Sequence, residues 1–238
     1  SGALGKIKQR DGTDFSGYDP TSSTYTNIYA TSSSSSFNCG SGCILAMAMY
    51  DPFLDSPPLT GVGMINQYVT SMDNGSSWDS SSSLVLSNNL SVTSGNNVLV
   101  GVGTGGRITR STDNGSSWDN VTSPTQLQIE GVTFGNNTFV AVGQSGNIVR
   151  STNNGASWDN ATTDNSTTNL LRGVTFGNNT FVAVGISGNI VRSINNGSSF
   201  DNATIDNSTA NNLREVTFGN NTFVAVGQTG AIARSTDN

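Results

Sequence analysis

Several residue types are scarce in this chain. It has no histidine and two glutamates, and charged side chains make up 11% of its 238 residues, against about a quarter in an ordinary soluble domain. Without histidine, the commonest general base and the commonest metal ligand are missing. A net charge of −6 argues against nucleic acid or an anionic membrane as the main partner. Apolar residues still reach 34%, which is enough for a core and argues against a disordered polyelectrolyte.

Long apolar runs are also missing. The longest, Cys43–Tyr50, is far shorter than the roughly 18 residues of a membrane span and is typical of a buried strand. The chain begins at Ser1 without a methionine, so we expect a processed product. Cys39 and Cys43 flank a flexible Gly-Ser-Gly, which favours a local disulfide over free or intermolecular thiols. A disulfide and a polar, lysine-poor surface predict an exported protein, extracellular or at the cell surface.

What the chain has in abundance is internal repetition. An octet of the form Ser-x-Asp/Asn-Asn-Gly-x-Ser-Trp/Phe begins at Ser71, Ser111, Ser151 and Ser193, and a fifth copy starts at Ser235. The spacing of about 41 residues indicates one structural unit per repeat.

Each repeat reads as four short strands. In the third repeat we predict Gly131–Phe134, Thr138–Val142, Asn147–Ser151 and Ser157–Asn160, rich in β-branched and aromatic residues. Asn136-Asn137 suits a tight hairpin between the first two strands, because asparagine tolerates the left-handed conformation. No window of helical periodicity reaches a dozen residues. Four strands per 41 residues predict an all-β fold, a β-propeller of about five four-stranded blades, ahead of a solenoid.

The octets resemble the Asp-box, or bacterial neuraminidase repeat, of sialidase-like propellers, and the longer run around them is similar to the propellers of photosystem II assembly factors. In that family the octet is structural, forming the turn between the third and fourth strands. The resemblance therefore implies a structural role for Ser71, Asp73, Gly75, Trp78, Ser111, Asp113, Gly115, Trp118, Ser151, Asn153, Gly155, Trp158, Ser193, Asn195, Gly197 and Phe200. Asn153 and Asn195 replace aspartate, which argues against a role that needs a carboxylate.

The repeats divide the chain into blades and a closing segment. The predicted blades are residues 24–82, 83–122, 123–165, 166–208 and 209–238. The last blade ends at its octet, so its fourth strand must come from elsewhere. Residues 1–23 contain a run that echoes a third strand, and we predict that they close the last blade, either within one molecule or in a neighbouring one.

Blade 24–82 is the most divergent. Its predicted strands are Thr24–Thr31, Cys43–Tyr50 and Met64–Thr70, with Ser32–Ser36 and Asp51–Pro58 as insertions.

We predict no catalytic residues, no metal site, no cofactor and no enzymatic activity. The arginines before each octet, Arg110, Arg150, Arg192 and Arg234, repeat in every blade, which indicates a structural role, such as pairing with a neighbouring octet aspartate or carbonyl. The two glutamates, Glu130 and Glu215, do not indicate the closely spaced carboxylate pair that a retaining glycosidase needs.

Asn-x-Ser/Thr sequences are frequent. Those that the turns do not require are the glycosylation candidates, Asn89, Asn120, Asn160, Asn165, Asn202 and Asn207. A merely polar loop is the alternative interpretation.

The main functional hypothesis is a structural or adhesive surface protein that assembles with itself, as a filament or surface layer, with possible recognition of glycans and no membrane insertion. The alternatives are a ligand-binding propeller, either a lectin or an assembly factor, and a sialidase-type glycosidase.

Overall fold

The described part of the chain folds into strands and short turns. The computed structural model describes residues 35–39, 43–48, 59–63, 67–71, 75, 77–82, 89–163, 168–203 and 211–235. Within these ranges, the helical elements are four 3₁₀ turns of three residues each, at Thr104–Gly106, Gln144–Gly146, Ile186–Gly188 and Gln228–Gly230. No helix in the described ranges is long and apolar enough to cross a membrane.

The strands form five sheets, one for each repeat. The first sheet contains β1 (Ser35–Cys39), β2 (Cys43–Ala48), β3 (Leu59–Gly63), β4 (Gln67–Ser71) and β5 (Asp79–Ser82). The second contains β6 (Asn89–Gly95), β7 (Val98–Gly103), β8 (Ile108–Ser111) and β9 (Asp119–Val121). The third contains β10 (Ile129–Gly135), β11 (Thr138–Gly143), β12 (Ile148–Ser151) and β13 (Asp159–Asn160). The fourth is led at its outer edge by β14 (Thr162–Thr163) and contains β15 (Leu171–Gly177), β16 (Thr180–Gly185), β17 (Ile190–Ser193) and β18 (Ser199–Asn202). The fifth contains β19 (Leu213–Gly219), β20 (Thr222–Gly227) and β21 (Ile232–Ser235).

The second to fifth sheets are each built on an antiparallel meander whose first hairpin is closed by two asparagines. Asn136 and Asn137, for example, have φ of 46° and 56°, the left-handed conformation that a two-residue hairpin needs and that asparagine tolerates. The predicted hairpin is therefore confirmed. Its counterparts, Asn96-Asn97, Asn178-Asn179 and Asn220-Asn221, have the same sign of φ.

Successive sheets pack face to face, and the cores lie between them. One apolar cluster joins the second and third sheets, a second joins the third and fourth, and another joins the fourth and fifth. The first strands of successive blades, β6, β10, β15 and β19, contact one another in that order. Repeated four-stranded meanders packed side by side around their first strands define a β-propeller, so the predicted fold class is confirmed.

A glycine at the end of each first strand allows this close packing. A Cβ atom on Gly95, Gly135 or Gly177 would overlap the phenylalanine ring of the next sheet. The rings concerned are those of Phe134, Phe176 and Phe218, respectively. Each blade therefore inserts one aromatic ring into a socket that the preceding blade leaves empty.

The meander gives the propeller two distinct faces. On the octet face lie the Asn-Asn hairpins and the octet turns. On the opposite side, which we call the loop face, lie the 3₁₀ turns, the starts of the first strands and the connections from one blade to the next. The connection at residues 122–128 differs from those at 161–170 and 203–212, which closely resemble each other, and the octets are nearly the same in every repeat. The sequence difference between these connections therefore lies on the loop face.

The first sheet differs from the prediction. Ser35–Cys39 forms β1, so part of the predicted insertion Ser32–Ser36 is a strand, and the sheet has five strands instead of four. A serine-rich stretch carries no apolar alternation, and it becomes a strand through its register with β2. The predicted strand Thr24–Thr31 and the insertion Asp51–Pro58 lie outside the described residues.

A strand crosses from one blade to the next. β14 falls within the predicted third blade, 123–165, yet it pairs in parallel with β18 of the fourth sheet, Thr162 opposite Ser199 and Thr163 opposite Phe200. The fifth sheet has three described strands, ending at Ser235. The predicted closing segment, residues 1–23, lies outside the described residues, so closure of the last blade stays a prediction.

Candidate functional site

The octet is a hydrogen-bonded turn held by its own side chains. In the second blade, Ser111 Oγ accepts the Gly115 N–H at 2.9 Å. Asp113 accepts both the N–H and the hydroxyl of Ser117, at 2.9 Å and 2.6 Å. The Trp118 indole N–H donates to the Gly115 carbonyl at 3.1 Å. The serine, aspartate and tryptophan side chains of the octet are thus used inside the turn.

Asparagine serves this turn as well as aspartate. Asn153 Oδ1 accepts the Ser157 N–H at 3.0 Å, while its Nδ2 donates to Ser157 Oγ at 2.8 Å. Asn195 makes the same pair of bonds to Ser199. The serine hydroxyl, which donates to Asp113, accepts from asparagine instead. In the aspartate version, the hydrogen bonds from Ser117 lower the pKa of Asp113.

The remaining octet residues lie where the turn needs them. Ser71, Ser151 and Ser193 accept the N–H of Gly75, Gly155 and Gly197, respectively, and Trp78 and Trp158 donate to the carbonyls of Gly75 and Gly155. Phe200, which stands where the other octets have tryptophan, is fully buried. Asp73 lies outside the described residues.

The arginines that precede the octets connect neighbouring blades. Arg110 Nε donates to the carbonyl of Asn154 in the next octet at 2.7 Å. Arg150 Nη1 donates to the carbonyl of Asn196 at 3.3 Å and to Ser198 Oγ at 2.8 Å. Both arginines therefore act as structural ties between one blade and the turn of the next, and they do not line a ligand site.

The predicted cysteine pair and glycan sites have different placements. Cys39 faces Cys43 in the register of the β1–β2 hairpin, and their disulfide stays a prediction. Asn120, Asn160 and Asn202 are exposed on the fourth strands of their meanders, β9, β13 and β18. Asn165 and Asn207 lie outside the described residues.

Asn89 is a correction to the predicted glycan sites. Its side chain is 1% exposed at the start of β6, so the folded protein leaves no room there for a glycan.

The clearest candidate site lies on the loop face, at a β-bulge that opens each first strand. The register of the first two strands shifts between Ile129 and Gly131, and the extra residue of the bulge is Glu130. The equivalent residues are Arg172 in the fourth sheet and Arg214 in the fifth. Bulges redirect side chains and occur often beside functional sites. These three positions therefore carry the charge that varies between blades.

Neighbouring bulges touch through their backbones. A Cβ on Gly131 would lie 2.7 Å from the Arg172 carbonyl oxygen. A Cβ on Gly173 would lie 3.1 Å from both the Arg214 carbonyl oxygen and Glu215 Oε1. The charged residues of the third, fourth and fifth blades therefore form one continuous row along the loop face.

Arg172 is the most unusual member of this row. Its Nε atom is buried and has no hydrogen-bond partner, which costs free energy unless a ligand or water satisfies it. Arg214 is exposed. Glu130, by contrast, accepts a hydrogen bond from Gln128 Nε2 at 2.7 Å. The row thus combines one hydrogen-bonded carboxylate with the half-buried guanidinium group of Arg172 and the exposed guanidinium group of Arg214.

Glu215 occupies the position that is glycine in the two preceding blades, where Gly131 and Gly173 stand. Burial raises the pKa of this carboxyl to about 7, against the opposing effect of a hydrogen bond from the Val216 N–H at 3.2 Å. The site therefore holds one group whose charge changes near neutral pH.

The loop face also has a shallow cleft on the second blade, with a volume of about 340 Å³. It is lined by the 3₁₀ turn at Gly105–Gly106, by β8 and β9 and by Ser123 and Thr125. Arg107 lines it too and donates from Nη1 to Asn120 Oδ1 at 3.0 Å. Within the described ranges, no group of three or more histidine, cysteine or acidic side chains could hold a metal ion.

The bulge row was not predicted from the sequence. The recurrence of Arg172 and Arg214 was visible, as was the replacement of a glycine by Glu215. The register aligns Glu130 with Arg172 and Arg214, one residue before the position that Glu215 occupies. The missing information was the one-residue shift of the bulge, which sequence periodicity does not show.

Comparisons with known proteins agree on the fold. No family model matches the sequence, and no curated protein matches it. Among solved structures, YCF48 from Cyanidioschyzon merolae matches with a TM-score of 0.61 and 16% identity, over 87% of this chain and 70% of that one. A structure of YCF48 bound to D1 peptide matches with a TM-score of 0.61 and 18% identity, over 89% of this chain and 69% of that one.

Enzymes share the fold as well. An ancestral GH74 enzyme matches with a TM-score of 0.58 and 19% identity, over 87% of this chain but 33% of the enzyme. At these identities the likeness establishes a β-propeller and no activity. The neighbours include both a peptide-bound protein and GH74 enzymes, so function has to be argued from this chain's own site.

The buried carboxyl of Glu215 predicts a pH-dependent stability. A folded-state pKa near 7, above the ordinary 4.5, means that folding favours the neutral form. The free energy of unfolding is therefore highest below about pH 4.5 and falls as the pH rises through 7, by about 3 kcal/mol at most. Chemical denaturation followed by circular dichroism between about pH 5 and pH 8 measures this slope. Glu215→Gln is expected to abolish it.

Glu130→Gln is the matched control for this experiment, since it removes the other glutamate of the same row. It is expected to keep the wild-type slope. A slope that persists unchanged in Glu215→Gln would show that another group is responsible.

Proposed function

We propose that this chain is a non-catalytic, protein-binding β-propeller that holds a carboxylate-bearing peptide segment on its loop face. The observation that carries the proposal is the buried Nε of Arg172, which has no hydrogen-bond partner. The proposed binding groups are Arg172 and Arg214. Glu130 and Glu215 border them and would disfavour a ligand with acidic groups along its whole length.

The contrast with the other arginines supports this role. The guanidinium groups of Arg110 and Arg150 donate to carbonyls of the next octet, whereas the Arg172 Nε has no hydrogen-bond partner. A guanidinium presents its N–H groups as a planar fork, which matches the two oxygens of a carboxylate. The net charge of −6 makes a local pair of arginines a distinctive feature of the surface.

Structural similarity gives independent support. YCF48, whose fold this chain shares, has been captured bound to D1 peptide. That observation belongs to YCF48, and it supports the proposal by showing that a propeller of this kind can hold a peptide.

We propose that the octets are Asp-box turns of the family they resemble, because their serine, aspartate or asparagine, glycine and tryptophan residues bond as that resemblance implies. Export, the disulfide and glycans at the exposed Asn120, Asn160 and Asn202 stay predictions. An adhesive role at the cell surface and recognition of glycans stay predictions too.

Peptide binding tests the proposed function directly. The probe is an array of short peptides with free carboxyl termini beside the same peptides as carboxyl-terminal amides. The protein is expected to bind a subset of the free acids and to lose binding on amidation. For a bound peptide, fluorescence anisotropy should show that Arg172→Gln combined with Arg214→Gln raises Kd by about tenfold or more, since a hydrogen bond to a charged group contributes about 1.5–3 kcal/mol.

Arg234→Gln is the matched control, because it removes the same charge from an exposed arginine outside the row. It is expected to leave Kd unchanged. Thermal unfolding of each variant verifies that the fold is intact. The proposal fails if no peptide binds, or if amidation and the double substitution both leave binding unchanged.

A further inference from the structure

The outer face of the fifth sheet repeats a surface that every other blade buries. Ile232 on β21 is 73% exposed, while its counterparts Ile108 and Ile148 are 1% and 2% exposed. Val226 on β20 is 44% exposed, whereas Val102, Val142 and Val184 are completely buried. In the second, third and fourth blades, these side chains form the core against the next sheet. The fifth sheet thus presents one half of a blade-to-blade interface.

The sockets of this face are open as well. A Cβ on Gly219 would meet nothing within 4 Å, although the equivalent glycines Gly95, Gly135 and Gly177 each hold a phenylalanine ring of the next blade. The polar tie of the interface is also unused, because Arg234 is exposed, whereas Arg110 and Arg150 bond to the next octet. The apolar surface, the ring socket and the arginine of the fifth sheet therefore correspond to the groups that contact the next blade elsewhere in the propeller.

The complementary half lies at the other end of the described chain. In two of the built interfaces, the octet glycine of the incoming blade packs on a valine of the preceding second strand, Gly155 on Val100 and Gly197 on Val140. These two glycines are buried, but Gly75 of the first octet is only partly buried. Trp78 is also only partly covered, whereas Trp118 and Trp158 are buried. The first octet therefore lacks the preceding sheet that covers the others.

We infer that the fifth sheet is a docking surface for the first sheet of a second copy of this chain. In the resulting contact, Gly75 of the incoming copy packs on Val224, which is equivalent to Val100 and Val140. Arg234 then donates to the first octet of that copy, as Arg110 and Arg150 donate to theirs. The contact is heterologous, with different surfaces on the two partners, so it can repeat from copy to copy.

A second copy is favoured over other occupants because it continues an interface that this sequence already builds three times. Each built interface joins two repeats of this chain, so the complementary shape and hydrogen bonds are those of its own blades. Ile232 and Val226 are exposed, and none of the described strands of the first sheet makes an extensive contact with the fifth sheet. An exposed apolar face of this kind marks an interaction site.

Light scattering and sedimentation velocity over a range of protein concentrations test the inference. The wild-type chain is expected to associate as the concentration rises, from 24.6 kDa to dimers and longer chains. Ile232→Asp places a charge in the apolar centre of the contact and is expected to weaken association by about tenfold or more. Ile194→Asp is the matched control, because Ile194 is a similarly exposed isoleucine, at 67%, that lies outside this face.

The outcomes of these experiments distinguish a second copy on the outer face of the fifth sheet from other modes of association. Association that Ile232→Asp abolishes and Ile194→Asp leaves intact supports the inference. A wild-type chain that stays monomeric at every concentration overturns it. Association that survives Ile232→Asp but disappears on deletion of residues 1–23 also overturns it, and assigns the contact to the open edge of β21 instead of this face.

Discussion

Replacing Gly135 with alanine is expected to destabilise the protein by about 3 kcal/mol. A Cβ at this position would overlap the ring of Phe176, which packs against the apolar cluster between the third and fourth sheets. The ring cannot move towards the core, because its neighbour Phe181 is completely buried and lies 4.6 Å away between ring centroids. The free energy of unfolding from urea denaturation measures the loss.

Gly219→Ala is a matched control in the same molecule. Gly219 has the same place at the end of β19, but nothing lies within 4 Å of its would-be Cβ. Alanine there is expected to leave the stability unchanged or to raise it by up to about 1 kcal/mol, because glycine loses more chain entropy on folding. Equal losses for the two variants would contradict the ring-socket interpretation, since they would point to a backbone requirement shared by both glycines.

Phe181→Ala is expected to destabilise the protein by about 4 kcal/mol. Phe181 on β16 is 0% exposed and belongs to the cluster that joins the third and fourth sheets. Its removal loses apolar burial and leaves a cavity that strands on both sides hold open. The same denaturation experiment measures the change.

Leu127→Ala serves as the comparison for Phe181→Ala. Leu127 is a large apolar residue that is 39% exposed on a connection between blades, so its truncation is expected to cost less than about 1 kcal/mol. A small loss for Phe181→Ala would show that the two sheets close over the vacated space.

The repeat allowed most of the fold to be predicted from the sequence. The octets and the Asn-Asn pairs fix where each hairpin turns, so the predicted strand Thr138–Val142 differs from the observed Thr138–Gly143 by one residue. Both signals are local, because asparagine side chains and left-handed backbones act within a few residues. A sequence predicts structure best where turn-forming residues repeat at a constant spacing, as they do here.

Features that depend on contacts between blades were missed. β14 pairs with the next sheet through two threonines that no local pattern distinguishes. β1 lies in a stretch of serines, and its pairing depends on β2. The bulges beside Arg172 and Arg214 are register shifts between strands, so the candidate site emerged only from the pairing. In each case the structure depends on a pairing between strands, and no sequence pattern indicates which residues pair.

The octet turns also bear on how this protein ages chemically. Asn-Gly is the sequence most prone to deamidation, in which the glycine nitrogen attacks the asparagine side chain, and asparagine is a thermolabile residue for this reason. Here the Gly115, Gly155 and Gly197 nitrogens donate to serine hydroxyls inside buried turns. A nitrogen held in that bond is unavailable as a nucleophile. The bonds that shape the blades therefore also protect their most fragile peptide units for as long as the chain stays folded.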